Sequence, residues 1–456
     1  MFKKILVANR GAIAARIIRT LKNMNIAVVA IYSEADQHLP YLKLADETYE
    51  LKGSIAKDTY LNQDRIIEIV KMSGVDGVHP GYGFLAENSE FSKRLEEMGV
   101  KFIGPSTKWI NLMADKNQAR QIMANYSMPL GKGSSILPDD EEEVKKIAAE
   151  IGYPVLVKPA NGGGGIGMLP VYEESKLIST VERAKNTSEK YFSDSNVYLE
   201  SYFEDPRHIE FQILADAEGN VIHLYERDCS IQRRHQKIIE ESPAPNISFK
   251  EIEKIGEQVQ QSIQQIGYDN VGTVELLRGK DGNYSFLEMN TRLQVEHAVT
   301  EEIIGIDLVK AQIESAAKIP LRQILPGKIE KNGHAIEVRL YAEDPITFYP
   351  SPGTLKTYVL PKVENVRVET GFEEGNVISP FYDPMIAKII VHEATREKCI
   401  EVLSNYLKLI QIEGVKTNIP FLIYTLNSPE FIAGNISTNL ASTLAKRMKD
   451  ENKLTK

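Results

Sequence analysis

The sequence predicts an α/β protein, α+β overall, built from several domains, and three observations predict it. Apolar strand-like runs alternate with helical spacing over residues 1–112. A hairpin with an unusual polar face lies around residue 280. Short strands return after residue 334, followed by helical stretches. At 456 residues the chain exceeds one ordinary core, and about two to four domains are expected.

Taken in order, residues 4–8 form an apolar run, and 11–23 have apolar residues at helical spacing. Strands are expected at 27–32, 77–79 and 101–104. The first strand-to-helix turn, Asn9-Arg10-Gly11, is not G-x-G-x-x-G, which weakens a dinucleotide-binding reading. A helix is expected at 116–125, then Pro129 and a polar turn. The acidic run 139–143 suits a helix N-terminus, where carboxylates meet the positive end of the macrodipole. Residues 153–158 read as a buried strand running into a glycine loop, and 197–203 as a strand edge. The hairpin pairs 272–277 with 284–289, and a helix follows at 307–317. The Pro-, Gly- and Lys-rich stretch 320–333 reads as a linker. Strands at 335–342 and 386–392, a helix at 396–410 and another near the end complete the chain.

Apolar content of 42% and charged content of 26% are those of a soluble globular protein. A net charge of −9 excludes a global nucleic-acid footprint. Two cysteines, Cys229 and Cys399, cannot form a disulfide framework and fit a reducing cytoplasm. The apolar run before Arg10 is too short for a signal peptide, and no stretch has the apolar length of a membrane helix.

The most informative stretch is Phe286 to His297. In an extended chain Glu288, Asn290, Arg292, Gln294 and Glu296 share one face, and Leu287, Met289, Thr291, Leu293 and Val295 the other. If Arg278 pairs with Asn283, Glu275 lies opposite Phe286 and on the same face as Glu288. Two converging carboxylates repel unless a cation joins them. Oxygen-only ligands suit magnesium or manganese, and no Cys/His spacing suits zinc.

Lys158 to Met168 carries five glycines in six positions, a backbone able to close over phosphate oxygens, without the Gly-Lys-Ser/Thr of a Walker A loop. Lys158 at its start is placed to reach phosphate. Glu200 and Phe203 sit on a strand edge that suits an adenine. The cluster Arg233, Arg234, His235 and Lys237 marks an anion site in an acidic protein. Cys229 reads as a packing residue, because no Cys-His-Asp arrangement accompanies it.

These blocks together resemble biotin carboxylase, of the ATP-grasp superfamily. The matching motifs are Ala8-Asn-Arg-Gly11, His79-Pro-Gly-Tyr-Gly-Phe84, Asp115-Lys116, the glycine loop, Glu226-Arg-Asp-Cys-Ser230, Arg233-Arg-His-Gln-Lys237, Glu288-Met-Asn-Thr-Arg292, Gln294-Val-Glu-His297, Tyr382-Asp-Pro-Met-Ile386 and Lys416-Thr-Asn418. The resemblance implies an N-terminal Rossmann-like pre-ATP-grasp domain (1–112), an ATP-grasp domain (113–330) with a mobile lid at about 131–203, and a biotin carboxylase C-terminal domain (331–456).

It implies nucleotide contacts at Lys116, Lys158, Glu200, Ser201, Tyr202, Phe203, His208, Gln232 and His235. Gly164 and Gly165 would cover the phosphates, and Met168, Leu277 and Ile436 would line the adenine. Glu275, Glu288 and Asn290 resemble magnesium ligands. Lys237, Arg292, Gln294 and the Val295 backbone resemble a bicarbonate cradle, Glu296 the general base, and Arg339 the group that meets the biotin enolate. The implied activity is ATP-dependent carboxylation of biotin from bicarbonate through carboxyphosphate, with Mg²⁺ or Mn²⁺. It is the first half-reaction of an acetyl-CoA or other acyl-CoA carboxylase; alternatives are the same step within a pyruvate carboxylase or another ATP-grasp ligase. No Ala-Met-Lys-Met is present, so the biotin carboxyl carrier protein is expected to be separate. Carboxyltransferase subunits and a homodimer are the other expected partners. Ser201 and Ile166 depart from the family's usual Lys and Arg/Lys.

Overall fold

The computed structural model describes residues 1–160, 166–234 and 236–454. Strands β1 (Lys4–Val7), β2 (Ala27–Tyr32), β3 (Glu47–Glu50), β4 (Gly77–His79) and β5 (Lys101–Phe102) form one parallel sheet in the order β3-β2-β1-β4-β5. Ile5, Leu6 and Val7 are all buried, which is why β1 reads as an unbroken apolar run rather than an alternation. Helix Gly11–Asn23 follows directly. Asn9 Nδ2 donates to the carbonyls of Pro80 (2.7 Å) and Tyr82 (2.8 Å), tying the end of β1 to the loop after β4. Gly81 sits in that loop at φ +65°, where a Cβ would fall 2.9 Å from Asn9 Nδ2. Only glycine tolerates both the backbone and the approach.

The chain then leaves this sheet for a small unit with its own core. Strands β6 (Gly133–Ile136), β7 (Val155–Pro159), β8 (Leu169–Val171) and β9 (Val197–Ser201) form a sheet ordered β6-β9-β7-β8. Helices Glu141–Ile151 and Leu177–Phe192 supply Val144, Ala148, Leu177 and Val181 to a cluster with Val155, Val157, Val197 and Leu199. The acidic run begins the first helix: Asp140 caps it by accepting from the Glu143 N–H at 2.8 Å.

Strands β10 (Arg207–Ala215), β11 (Val221–Arg233), β12 (Gln236–Ser242), β13 (Asn270–Arg278), β14 (Tyr284–Asn290) and β15 (His334–Tyr341) build the main sheet. Strands β16 (Gly353–Thr354), β17 (Thr357–Val359), β19 (Val377–Ile378) and β21 (Gln411–Glu413) form two small ribbons, whereas β18 (Val366–Thr370) and β20 (Met385–Glu393) join the main sheet. Its order is β14-β13-β10-β11-β12-β15-β20-β18, antiparallel throughout, so it continues across the segment expected as a linker. That segment holds a short helix, Leu321–Ile324. Residues of helix Gly11–Asn23 and of β15 and β20 share one hydrophobic core. Every residue of β10 is buried. Ile209, Phe211 and Ile213 face helix Phe249–Ile266 through Ile252, Val259 and Ile263. His208, Glu210 and Gln212, which alternate with them, face the opposite side. Among the described residues no helix is long and apolar enough to cross a membrane.

Two local expectations change. The hairpin turns between Arg278 and Tyr284, not Asn283, which alone would put Glu275 opposite Leu287. A bulge between Leu276 and Glu275 adds one residue on β14 and sets Glu275 directly opposite Glu288. The two carboxylates therefore share a face more closely than the simple pairing predicts. The extended row also ends early: β14 stops at Asn290, and Glu296 stands at the N-cap of helix His297–Ile304.

Candidate active site

The sheet brings acidic side chains together and then supplies cations between them. Glu210 on β10 lies opposite Glu275 on β13, which lies opposite Glu288 on β14. Lys237, on β12, reaches across β11 into this row. Its ammonium donates to Glu210 Oε2 at 2.6 Å, Glu275 Oε1 at 2.8 Å and Glu296 Oε1 at 2.6 Å. Burial opposes its charge, but the three carboxylates outweigh burial and hold it charged well above the ordinary lysine range. Burial likewise favours the neutral form of Glu296, yet Lys237, Arg339 and Arg227 together draw its carboxyl down to about 2. His208 follows the opposite course. Burial pushes it down, while Glu275, at 3.2 Å from Nε2, and Glu210, at 3.6 Å, raise it to about 9. Arg227, fully buried, ties Glu210 from below through Nε at 2.6 Å.

Past Asn290 the strand ends, and Glu87, from the N-terminal domain, meets the backbone that follows. Glu87 Oε1 accepts from the Thr291 N–H at 3.1 Å, and Glu87 Oε2 accepts from Arg292 Nε at 2.7 Å. Arg292 also donates to Gln294 Oε1 at 2.6 Å and Asn290 Oδ1 at 3.2 Å. Gln294 Nε2 donates to Glu275 Oε1 at 3.0 Å. Lys388, buried, donates to the Val295 carbonyl at 2.5 Å. Arg339 Nη2 donates to Glu296 Oε2 at 2.9 Å, so Lys237 and Arg339 hold one oxygen each of the same carboxylate. Arg292, Val295 and Arg339 line a cavity of about 500 Å³, walled on its other side by Tyr82, Phe84 and Tyr382. Cys229 Sγ lies 3.9 Å from Glu296. Burial and neighbouring carboxylates push its thiol far up, so it stays a neutral packing group.

The expected nucleotide residues lie on or beside the small sheet and the main sheet. Lys158 Nζ lies 3.0 Å from Glu200 Oε2, and Lys116 reaches Glu288 Oε2 at 2.7 Å. Both lysines thus sit on carboxylates with which an anionic ligand can compete for the ammonium groups. The Ser201 N–H donates to the Lys132 carbonyl at 2.8 Å. The ring of Tyr202 meets Tyr172 edge-on. Phe203 lies past the end of β9 and packs over Gly279, where a Cβ would fall 2.6 Å from its ring. Gln232 Nε2 is 3.0 Å from His208 Nδ1, and Leu277 pairs with His208 across β10 and β13. Ile436 is buried, and its segment is fixed by the Thr438 N–H donating to the Pro206 carbonyl at 2.9 Å. Met168 is partly exposed just before β8. Gly164, Gly165 and His235 lie outside the described residues.

Glu275, Glu288 and Asn290 offer carboxylate and amide oxygens on facing strands, a hard donor set that fits Mg²⁺ or Mn²⁺. Sequence reasoning passed over Glu210, Glu87 and Glu240. Glu210 had a signal, the alternation His208, Glu210, Gln212 between core residues. Glu87 had none, because its role depends on a partner over 200 positions away.

Comparison with known proteins finds three family models that match the chain. Residues 1–110 match the biotin carboxylase N-terminal domain family, 115–324 the ATP-binding domain of the carbamoyl-phosphate synthase L chain, and 337–443 the biotin carboxylase C-terminal domain. The chain is 49% identical to a biotin carboxylase of Halalkalibacterium halodurans, over 96% of this chain and 97% of that one. It is 45% identical to one of the pyruvate carboxylase subunits of Methanothermobacter thermautotrophicus, over 96% of this chain and 89% of that one. Its fold matches the biotin carboxylase domain of the Hydrogenobacter thermophilus 2-oxoglutarate carboxylase, solved as a dimer with MgADP, ADP and bicarbonate. There the TM-score is 0.88 at 45% identity, covering 97% and 98% of the two chains.

Proposed function

We propose a division of labour within the site, starting from the premise that the chain belongs to the biotin carboxylase family and is an ATP-dependent ligase that carboxylates biotin. The observation that carries it is the Lys237 ammonium shared by Glu210, Glu275 and Glu296. It couples the metal-type carboxylates to a carboxylate whose other oxygen belongs to Arg339. Phosphate donor and carboxyl acceptor then meet around one cation.

In this reading Lys116, Lys158, Glu200 to Phe203, His208, Gln232, His235, Leu277, Ile436 and Met168 hold ATP, with Gly164 and Gly165 over its phosphates. Glu275, Glu288 and Asn290 hold Mg²⁺, which when bound neutralises phosphate charge for transfer. Lys237, Arg292, Gln294 and the Val295 N–H cradle bicarbonate. Glu296 removes the bicarbonate proton as the oxygen attacks the γ-phosphate. At about 2 its carboxyl is a weak base in isolation. A bicarbonate anion seated beside Lys237 competes for that cation and raises Glu296, so the base strengthens when its substrate is present. The carboxyphosphate formed releases CO₂ and phosphate, and phosphate deprotonates the ureido nitrogen. Arg339, planar and always charged, steadies the resulting biotin anion.

The biotin comes on a biotin carboxyl carrier protein, and the enzyme works as a homodimer beside a carboxyltransferase. An acetyl-CoA or acyl-CoA carboxylase is supported by full-length likeness to a free-standing biotin carboxylase. A pyruvate carboxylase is supported by likeness to one component of such an enzyme. Purified protein given free biotin, bicarbonate, Mg²⁺ and ATP is expected to release ADP in a biotin-dependent way. ATP binding that needs Lys158 together with turnover indifferent to biotin would sink the reading. Recovery of the biotinylated and transferase partners from native lysate distinguishes the parent complexes.

A further inference from the structure

Two fully buried carboxylates have no part in the reading above. Glu240 on β12 and Glu337 on β15 lie directly opposite each other, each 0% exposed. Among the described residues, neither oxygen of Glu240 makes a hydrogen bond. Yet Glu240 Oε1 lies 2.7 Å from Arg339 Nη2, the nitrogen that also donates to Glu296. The contact is an ion pair off the hydrogen-bond direction. A buried carboxylate without hydrogen bonds is costly, and the Arg339 charge is the compensation the structure offers it. Glu337 instead faces Lys388, whose Nζ stands 3.4 Å from its Oε2.

We propose that Glu240 is a positioning residue that holds the Arg339 guanidinium in place while Glu296 changes charge. The proposal rests on the roles given above to Glu296 and Arg339. When Glu296 acts, the O–H bond of bicarbonate breaks and an O–H bond forms on Glu296, which becomes neutral. Its attraction for Arg339 falls just before Arg339 must meet the biotin anion. Arg339 Nε has no hydrogen-bond partner among the described residues, and Asn418 holds only the Arg339 carbonyl, at 2.9 Å. The guanidinium is therefore held by two carboxylates, and Glu240 is the one that takes no proton in the step.

The two supports also differ in stiffness. Glu240 sits inside an eight-stranded sheet, whereas Glu296 sits in an irregular segment at a helix start. Burial raises the Glu240 carboxyl to about 7, with Arg339 drawing it down and Glu296 pushing it up. Neutralising Glu296 removes the upward push, so the hold of Glu240 on Arg339 tightens as that of Glu296 loosens.

Glu240→Gln and Glu240→Asp test this. ADP release is measured with biotin varied and, separately, with bicarbonate but no biotin. In Glu240→Gln the KM for biotin is expected to rise, and the ratio of the biotin-dependent rate to the variant's own biotin-free rate to fall, by on the order of 10- to 100-fold. Glu240→Asp keeps the charge but draws it back, and should lose part of the ratio; this carries the test if Glu240→Gln does not fold. A ratio and biotin KM within about twofold of wild type in either folded variant overturn the proposal. So does an equal loss of both rates, the mark of a merely structural residue. Wild-type protein without biotin-dependent ADP release would instead remove the Glu296 and Arg339 roles on which it stands.

Discussion

Replacing Lys237 with methionine removes a cation that touches three buried carboxylates, and the geometry sets the size of the effect. The ammonium lies 2.6, 2.8 and 2.6 Å from Glu210, Glu275 and Glu296. Each carboxylate keeps at least one other cation: Arg227 and His208 on Glu210, His208 on Glu275, Arg339 on Glu296. Breaking a buried pair costs about 3–5 kcal/mol, and the surviving partners place this case near the lower end, at about 3 kcal/mol. Glu296, drawn down to about 2 partly by Lys237, rises toward the ordinary carboxylate range, each unit of that rise being about 1.4 kcal/mol. Loss of a positioned cation from the transfer site lowers kcat by about 10²–10³. Thermal unfolding and biotin-dependent ADP release measure the two effects on one preparation. Lys237→Arg should recover only part of either, because a planar fork does not replace a point charge among three acceptors. A methionine variant that melts like wild type and releases ADP within about threefold of its rate would refute the argument.

Three further outcomes follow from the same site. Glu296→Ala and Arg339→Ala should each lower biotin carboxylation by about 10²–10⁴ while nucleotide still binds, as titration calorimetry would detect; loss of ATP binding in both would remove their assigned roles. His208 has a folded value of about 9, above the unfolded 6.5, so its contribution is full below pH 6.5 and is lost as pH rises through about 9. His208→Gln should therefore be less stable than wild type by up to about 3 kcal/mol at pH 6, with the gap narrowing above pH 9 in denaturant titrations. Chelating Mg²⁺ should stop ATP cleavage, and Glu288→Ala should raise the Mg²⁺ needed for half-maximal rate by about tenfold or more; an unchanged requirement would take Glu288 out of the metal site.

Much of this was legible in the chain because it is local. The apolar run of β1, the acidic helix start at 139–143 and the helices beginning near residues 11, 308 and 396 follow from residue type and spacing, and the structure places them within a residue or two of expectation. Glu288 and Asn290 were readable as one face because period 2 holds wherever a strand does. Arg292, Gln294 and Glu296 continue that period in the sequence but not in space, since β14 ends at Asn290 and Glu296 stands at the start of the next helix.

By itself, then, the sequence, with the family likeness it carries, nominated the side chains proposed as oxygen donors, bicarbonate cradle, base and anion-meeting arginine. The tertiary structure alone decided how they share charge. In the sequence Lys237 reads as one cation of a basic cluster, Glu210 as one of an alternating polar set and Glu240 as an ordinary polar residue. They become a buried charge network only when both faces of the main sheet are covered and strands distant in sequence are set side by side. Burial strengthens every pairing and penalises every unpaired charge, and burial is a property of neighbours that no single segment carries.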